Sequence, residues 1–125
     1  MYFYQFAWES DYANGLLRAG HSLDTPLVFD NPDGRPMTGS SPARYEMAAL
    51  MSETWIAFAR TGDPNHEGLP AWETFDEHGR QQMVLDLPPR AVADLDQPER
   101  LAWQDIKVNL PFEGPAFVGA FGGGE

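Results

Sequence analysis

The chain has 125 residues, of which 42% are hydrophobic and 13% aromatic, a composition that excludes an intrinsically disordered protein and allows one modest folded domain. Its 19 acidic and 8 basic residues give a net charge of -11, which disfavours binding to nucleic acid or to an anionic membrane. It contains no cysteine, which excludes disulfides and cysteine-ligated zinc, and no apolar run is long enough to span a bilayer.

The first predicted element is a β-strand at residues 2–8, where almost every residue is aromatic or apolar. A strand that is apolar on both faces belongs in a parallel sheet covered on both sides, which is typical of α/β proteins. The only other convincing strand pattern is at residues 82–87. We therefore expect an incomplete sheet, most of whose strands are missing from this chain.

Two loops and a short helix are predicted next. Residues 9–20 are polar and contain glycine, which indicates a loop, and Pro26 favours the start of a short helix within residues 24–29. Residues 30–41 are dense in turn-forming residues and are predicted to be a surface loop.

The strongest helix pattern covers residues 42–61. Ser41 is a good N-cap, Pro42 suits the first helical position, and Gly62 suits the left-handed position that ends a helix. The helix should present a broad apolar stripe to the core. The predicted stripe consists of Met47, Ala48, Met51, Trp55, Ile56, Phe58 and Ala59.

The rest of the chain is predicted to be mostly irregular. Residues 63–71 are a turn-rich loop, and Asp96 is a candidate cap for a last helix at residues 98–107. We assign residues 1–110 to one domain and expect residues 111–125, which end in Gly-Gly-Gly-Glu, to form a flexible tail.

The three histidines are the residues from which chemistry is most readily expected. His66 and His78 lie in polar, turn-rich segments and are predicted to be solvated. No pair of histidines has the spacing of metal ligands on one element, so neither a metal site nor a cofactor is predicted. His21 follows a predicted buried strand by one loop, and ligand sites of open α/β sheets lie beyond the carboxyl ends of their strands.

Six segments together resemble the C-terminal part of the type B carboxylesterase family, the group of cholinesterases and para-nitrobenzyl esterases. The resemblance covers about residues 2–104, and its most specific pieces are the Gly20-His21 loop with Asp24 and the run at residues 58–65. In chain order the segments are YFYQFAW, GHSLDTPLVFDNP, WIAFARTGDPN, LPAWETFD, MVLDL and ERLAW.

The resemblance implies an α/β-hydrolase fold, here its C-terminal portion with the last core strands and the helices that cover them. It also implies hydrolysis of small carboxylic esters by a Ser, Glu or Asp, and His triad without a cofactor, in which His21 is the general base. The chain contains no G-x-S-x-G motif, so we expect the serine and the acid to lie upstream and the isolated chain to be inactive. Asp24 is interpreted as a helix cap rather than the triad acid.

Two alternatives remain open on the sequence alone. One is a non-catalytic relative, since the same family includes adhesion proteins that keep the fold without the triad. The other is an unrelated small binding domain. Ester preference, localisation and oligomeric state are not predicted, because the residues that would determine them lie outside this sequence.

Overall fold

The computed structural model describes residues 1–106, and the chain divides into two compact units, Met1–Leu95 and Asp96–Glu125. Within residues 1–106 the first unit contains strands β1 (Tyr4–Phe6), β2 (Gln81–Leu85) and β3 (Arg90–Ala93) and helices α1 (Asp24–Val28) and α2 (Ala43–Thr61). Helix α3 (Gln97–Trp103) lies in the second unit.

The three strands form one sheet in the order β1-β2-β3. β1 pairs in parallel with β2, with Tyr4 opposite Met83, which confirms the predicted parallel arrangement. β2 pairs antiparallel with β3, with Met83 opposite Ala91. The sequence pattern did not indicate β3, because this strand is only four residues long and just one of them, Val92, is even half-buried.

The first strand is shorter than predicted. Regular strand structure covers three of the residues in 2–8, although the Ala7 N–H still donates to the Leu85 carbonyl at 2.9 Å. Phe3 and Tyr4 remain 42% and 39% exposed, as expected for a strand whose sheet is incomplete among the described residues. In that part of the chain β2 is the only strand paired with β1.

Helix α2 begins within one residue of its predicted start and ends where its sequence predicts. Its N-cap position is Pro42, without a side-chain capping bond, so the predicted N-cap at Ser41 is one residue off; the Ser41 hydroxyl accepts from the Ala43 N–H at 3.3 Å. At the other end Gly62 adopts the left-handed conformation, with φ 77°, and its N–H donates to the Phe58 carbonyl at 2.8 Å. The predicted stripe is only partly right, since Met47, Ala48 and Met51 are buried whereas Ile56, Phe58 and Ala59 are exposed.

The short helix α1 forms where it was predicted, but not with the predicted cap. Its N-cap position is Leu23, without a side-chain capping bond, and Asp24 lies in the first turn. Helix α1 packs against α2 and contributes Leu27 to the core of the first unit. That core contains Trp8, Leu23, Leu27, Met47, Ala48, Met51, Trp72, Met83 and Leu85.

The predicted last helix is present as α3 and is shorter than expected. Asp96 precedes it in a left-handed conformation, with φ 60°, and makes no side-chain capping bond. Lys107, the predicted end of this helix, and the predicted flexible tail at residues 111–125 lie outside the described residues. None of the helices in residues 1–106 has the length and apolar character needed to cross a membrane.

Candidate functional site

His21 lies in a tight turn between the loop that follows β1 and the start of α1. The Leu23 N–H donates to the Gly20 carbonyl at 3.2 Å and closes this turn, and Ser22 has a positive φ of 64°. The His21 side chain is exposed. Among residues 1–106 no side chain forms a hydrogen bond or ion pair with it, so both ring nitrogens are free within that part of the chain.

The loop before His21 folds back toward the end of β1. Ser10, four residues after the end of β1, donates its backbone N–H to the carbonyl of Arg18 at 3.3 Å. Arg18 in turn lies three residues before His21, so the histidine is within about 10 Å of chain from this closure. This hydrogen bond closes residues 10–18 into a loop after the carboxyl end of β1, and His21 follows the closure by three residues. Ligand sites of α/β sheets are found beyond this end of the strands.

The connection between β1 and α1 holds an unusual number of residues in the left-handed region. Ala13, Asn14, Arg18 and Ser22 have φ values of 52°, 59°, 47° and 64°. Such conformations are uncommon for residues other than glycine and persist only where surrounding contacts impose them. The conformation around His21 is thus set by the contacts of the loop rather than by local preference.

One of these contacts joins the loop between β1 and His21 to the loop before α2. The Asp11 carboxylate accepts from the Ser40 N–H at 2.7 Å and from the Ser40 hydroxyl at 2.8 Å. These hydrogen bonds favour the charged form and lower the pKa of Asp11. A side chain at Gly39 would collide with this pair, because a Cβ atom there would lie 1.7 Å from Asp11 Oδ1. Sequence reasoning missed this connection, since its two residues are 29 positions apart.

His66 is a structural residue, and the prediction that it is solvated is wrong. Only 8% of its side chain is exposed. Its Nδ1 accepts from the Gly68 N–H at 3.1 Å, so in the neutral ring Nε2 carries the proton and donates to Thr54 Oγ1 at 2.9 Å. The Thr54 hydroxyl then donates to the Leu50 carbonyl at 2.7 Å. His78, by contrast, is exposed as predicted.

The segment after α2 is held by a local hydrogen-bond network. Asp63 Oδ1 accepts from the N–H of Asn65 at 3.0 Å, and the Asn65 side chain bridges the backbone of Trp72, accepting from its N–H at 2.8 Å and donating to its carbonyl at 2.9 Å. Asp63 therefore braces this turn, and within residues 1–106 no ion pair joins it to Arg60.

An apolar pocket lies between β1 and α2, and the sequence did not reveal it as a site. Its aromatic walls are Tyr2, Tyr4, Trp55, Phe58 and Trp72, and its volume is about 160 Å³. The Nε1–H of Trp72 is buried without a hydrogen-bond partner among the described residues. Two spacings in the sequence could have indicated the pocket. The tyrosines are two residues apart, on one face of a strand, and Trp55 and Phe58 are three residues apart, on one face of a helix.

The residues in 1–106 do not form a complete catalytic site or a metal site. No group of three or more His, Asp or Glu side chains in this range is placed to hold a metal ion. Ser10, the serine nearest in sequence to the end of β1, is 1% exposed, and its hydroxyl already accepts from the Tyr12 N–H at 3.0 Å. What this range does present is an exposed imidazole in the connection that follows a parallel strand.

A sequence model of the carboxylesterase family matches residues 1–103. Among curated proteins, the phenmedipham hydrolase of Pseudarthrobacter oxydans is 34% identical over 105 residues, which is 79% of this chain and 21% of that protein.

Solved structures of esterases match in sequence and in shape. A carboxylesterase of Geobacillus stearothermophilus is 36% identical with a TM-score of 0.65, and the match covers 82% of this chain and 22% of that one. An esterase of Clostridium hathewayi, described as able to hydrolyse aliphatic aromatic polyesters, is 30% identical with a TM-score of 0.73, covering 82% of this chain and 20% of that one. The esterases have the α/β-hydrolase fold, and the sheet and helices described above are a part of it. The chain spans about a fifth of the length of these relatives.

Proposed function

Because the chain belongs to the carboxylesterase family, we propose that it is the C-terminal part of a carboxylic ester hydrolase in which His21 is the general base of a Ser, Glu or Asp, and His triad. Residues 1–110 belong to the hydrolase domain in this proposal, and residues 111–125 are a tail. The observation that carries the proposal is the exposed imidazole of His21, unpartnered among residues 1–106, in the connection between β1 and α1.

The chemistry of ester hydrolysis requires what this imidazole offers. A base with a pKa near neutrality takes the proton of the attacking serine and returns it to the leaving alcohol, and an acid hydrogen-bonded to the other ring nitrogen fixes the tautomer. Neither ring nitrogen of His21 is occupied by a residue in 1–106. One nitrogen is therefore available to a serine hydroxyl and the other to a carboxylate.

The remaining members of the triad are proposed to lie outside this chain. None of its serines stands in a G-x-S-x-G motif. Asp24 lies in the first turn of α1, and together with burial its charge raises the pKa of the Tyr4 hydroxyl. Among residues 1–106 Asp24 forms no hydrogen bond or ion pair with the His21 ring, which favours a triad acid from another segment. Alone, the chain is expected to give no turnover of a chromogenic short-chain ester.

A chimera tests the role of His21. The segment of the Geobacillus stearothermophilus carboxylesterase that aligns with this chain is replaced by this chain, and hydrolysis of p-nitrophenyl acetate is measured. We expect the chimera to be active and its His21→Ala variant to lose about 1,000-fold or more in kcat. His78→Ala, at an exposed histidine, serves as the matched control and should keep the activity.

Two results would count against the proposal. Activity retained by the His21→Ala chimera would remove His21 from the triad. A folded chimera without activity, with a circular dichroism spectrum like that of the parent enzyme, would instead favour the alternative of a non-catalytic adhesion or binding module.

A further inference from the structure

The backbone on both sides of His21 is anchored by hydrogen bonds. Three residues before it, the Arg18 carbonyl accepts from the Ser10 N–H at 3.3 Å. Two residues after it, Leu23 donates its N–H to the Gly20 carbonyl at 3.2 Å, and its side chain is buried in the core with 1% exposed. Packing of Leu23 fixes the chain after His21. On the other side Arg18 is exposed, so its position depends on the backbone at Ser10 and on the loop between them.

Asp11, the residue after Ser10, links this loop to the loop before α2. Its carboxylate accepts from the Ser40 N–H at 2.7 Å and from the Ser40 hydroxyl at 2.8 Å. The two loops approach so closely that a Cβ atom at Gly39 would lie 1.7 Å from Asp11 Oδ1 and 2.9 Å from Ser10 Oγ. Hydrogen bonds to a charged carboxylate are roughly twice as strong as those between neutral groups. Asp11 therefore provides a short and strong connection where the loop before His21 begins.

The loop that Asp11 holds is strained. Ala13, Asn14 and Arg18 have positive φ values of 52°, 59° and 47°. Residues other than glycine adopt such conformations rarely, and mostly where surrounding contacts impose them. Without the hydrogen bonds that Asp11 accepts, we expect the loop to relax toward ordinary backbone angles. Because Arg18 belongs to this loop, the chain that leads into His21 would then move as well.

A small displacement of His21 is enough to impair proton transfer. A general base has to lie within about 2.6–3.2 Å of the group whose proton it takes. A misplacement of about 1 Å caused by a change far from the chemistry can cost about 100-fold in rate. Only three residues of chain separate His21 from the Arg18 carbonyl, so a movement of the loop reaches the imidazole directly.

We propose that Asp11 is a positioning residue for His21, whose hydrogen bonds to Ser40 hold the loop so that the imidazole lies within reach of the serine hydroxyl. Asp11 acts through the backbone, since among residues 1–106 no side chain forms a hydrogen bond or ion pair with the His21 ring. The inference rests on the proposed role of His21 as the general base and adds a residue to the machinery that the resemblance to a family did not indicate.

The first test measures hydrolysis of p-nitrophenyl acetate by the chimera that carries this chain. Asp11→Ala should lower kcat about 10- to 100-fold and leave KM unchanged, because the lost interaction is made in the transition state. Asp11→Asn keeps an oxygen that accepts from the Ser40 N–H and should lose less. Glu9→Ala is the matched control. It removes a carboxylate of the same loop that is 57% exposed and pairs with Arg18 at 3.3 Å, and it should keep kcat.

Two further variants of the chimera separate positioning from a general loss of stability. His66→Ala removes the hydrogen bonds to Gly68 and Thr54, so it should destabilise the fold and leave kcat of the folded enzyme unchanged. Ser40→Ala added to Asp11→Ala should cause no further loss of kcat, because both substitutions break the same contact. Circular dichroism at the assay temperature gives the folded fraction to which each kcat is referred.

A second measurement needs no catalysis and uses this chain alone. Backbone ¹⁵N order parameters of Gly20, His21 and Ser22 report how firmly the turn is held, with about 0.85 for rigid and below about 0.6 for flexible backbone. Asp11→Ala should lower them into the flexible range. Glu9→Ala should leave them at the values of the unchanged chain.

The outcomes distinguish this inference from the proposed function. Activity that survives His21→Ala would remove the general base itself. Activity that is lost in His21→Ala but kept in Asp11→Ala would overturn only the positioning role. That role is also wrong if Glu9→Ala or His66→Ala lowers kcat as much as Asp11→Ala, or if Asp11→Ala leaves the order parameters unchanged. If Asp11→Ala does not fold, the same comparisons are made with Asp11→Asn and with Ser40→Ala.

Discussion

The histidines of this chain show how little the local sequence says about the role of a single residue. His21, His66 and His78 all stand in polar segments near glycine, yet His66 is nearly buried and the other two are exposed. The burial of His66 depends on Thr54, twelve positions away on α2, with which it shares a hydrogen bond of 2.9 Å. A contact at that distance is not visible in the residues around the histidine.

Replacing His66 tests this structural role. His66→Ala removes the hydrogen bonds to Gly68 and Thr54 and leaves a cavity, so we expect a loss of about 2–3 kcal/mol in the free energy of unfolding. His78→Ala should change it by no more than about 0.5 kcal/mol, because that side chain is exposed. Urea unfolding monitored by tryptophan fluorescence gives both values. Equal losses would show that His66 does not hold the loop.

Gly39 lies against the contact between Asp11 and Ser40 and Gly62 does not, and their backbones differ as well: Gly62 is left-handed with ψ 5°, whereas Gly39 has ψ -159°, a region that essentially only glycine adopts. Both glycines have a positive φ, 78° and 77°, but a Cβ at Gly62 meets nothing within 4 Å whereas a Cβ at Gly39 lies 1.7 Å from Asp11 Oδ1. Gly62→Ala should cost about 1–2 kcal/mol of backbone strain. Gly39→Ala should cost at least about 2 kcal/mol more, since it forces alanine into the glycine-only region and also disrupts two hydrogen bonds. Thermal unfolding compares the variants, and a similar loss for both would contradict this account.

The lowered pKa of Asp11 makes part of the stability depend on pH. The folded chain binds the proton less readily than the unfolded chain, so the contribution is complete above the ordinary carboxyl pKa of 3.8 and is lost as the pH falls below it. Asp11→Asn removes this term and should flatten the fall in unfolding midpoint between pH 6 and pH 3. Asp30→Asn, whose exposed side chain accepts no hydrogen bond from residues 1–106, should leave the fall unchanged. An equal fall of the unfolding midpoint with pH in the unchanged chain and in both variants would refute the assignment of this pH dependence to Asp11.

At the level of elements, the sequence predicted what local chemistry determines. Helix α2 was predicted within one residue at its start and correctly at its end, because Pro42 suits a helix start and Gly62 ends the helix in the left-handed conformation with a short-range bond to Phe58. Strand β3 was missed because its pairing partner β2, rather than its own pattern, makes it a strand. In the candidate site, His21 could be identified from its loop and its resemblance to a family. The hydrogen bonds between Asp11 and Ser40, which hold the loop before His21, could not be predicted because they depend on the fold of two distant loops.

The orientation of α2 is the part of the helix prediction that the structure corrects, and two substitutions test it. Met51 is fully buried, whereas Ile56, predicted on the same stripe, is 48% exposed. Met51→Ala should therefore cost about 2–5 kcal/mol and Ile56→Ala less than about 1 kcal/mol. Urea unfolding of the two variants measures the difference. Comparable losses would mean that the whole predicted stripe faces the core.

For the molecule as a whole, charge and exposed aromatic surface act against each other. The chain carries a net charge of -11, while Phe3 and Tyr4 leave apolar area open on both faces of β1. Repulsion between copies keeps such a chain dispersed at neutral pH, and it weakens as the carboxylates become protonated or as salt screens them. The free strand edge then becomes the strongest attraction between copies.

We therefore expect self-association to rise steeply as the pH approaches 4.4, where the net charge vanishes, while circular dichroism still reports a folded chain. Static light scattering between pH 7 and pH 4.5 measures it, and added salt at pH 7 should shift it in the same direction. Phe3→Lys charges the edge strand and should suppress the association. Phe29→Lys makes the same change in charge at a residue that is 76% exposed and remote in sequence from β1, and should not. Equal suppression by both would assign the effect to net charge alone and remove the strand edge as its cause.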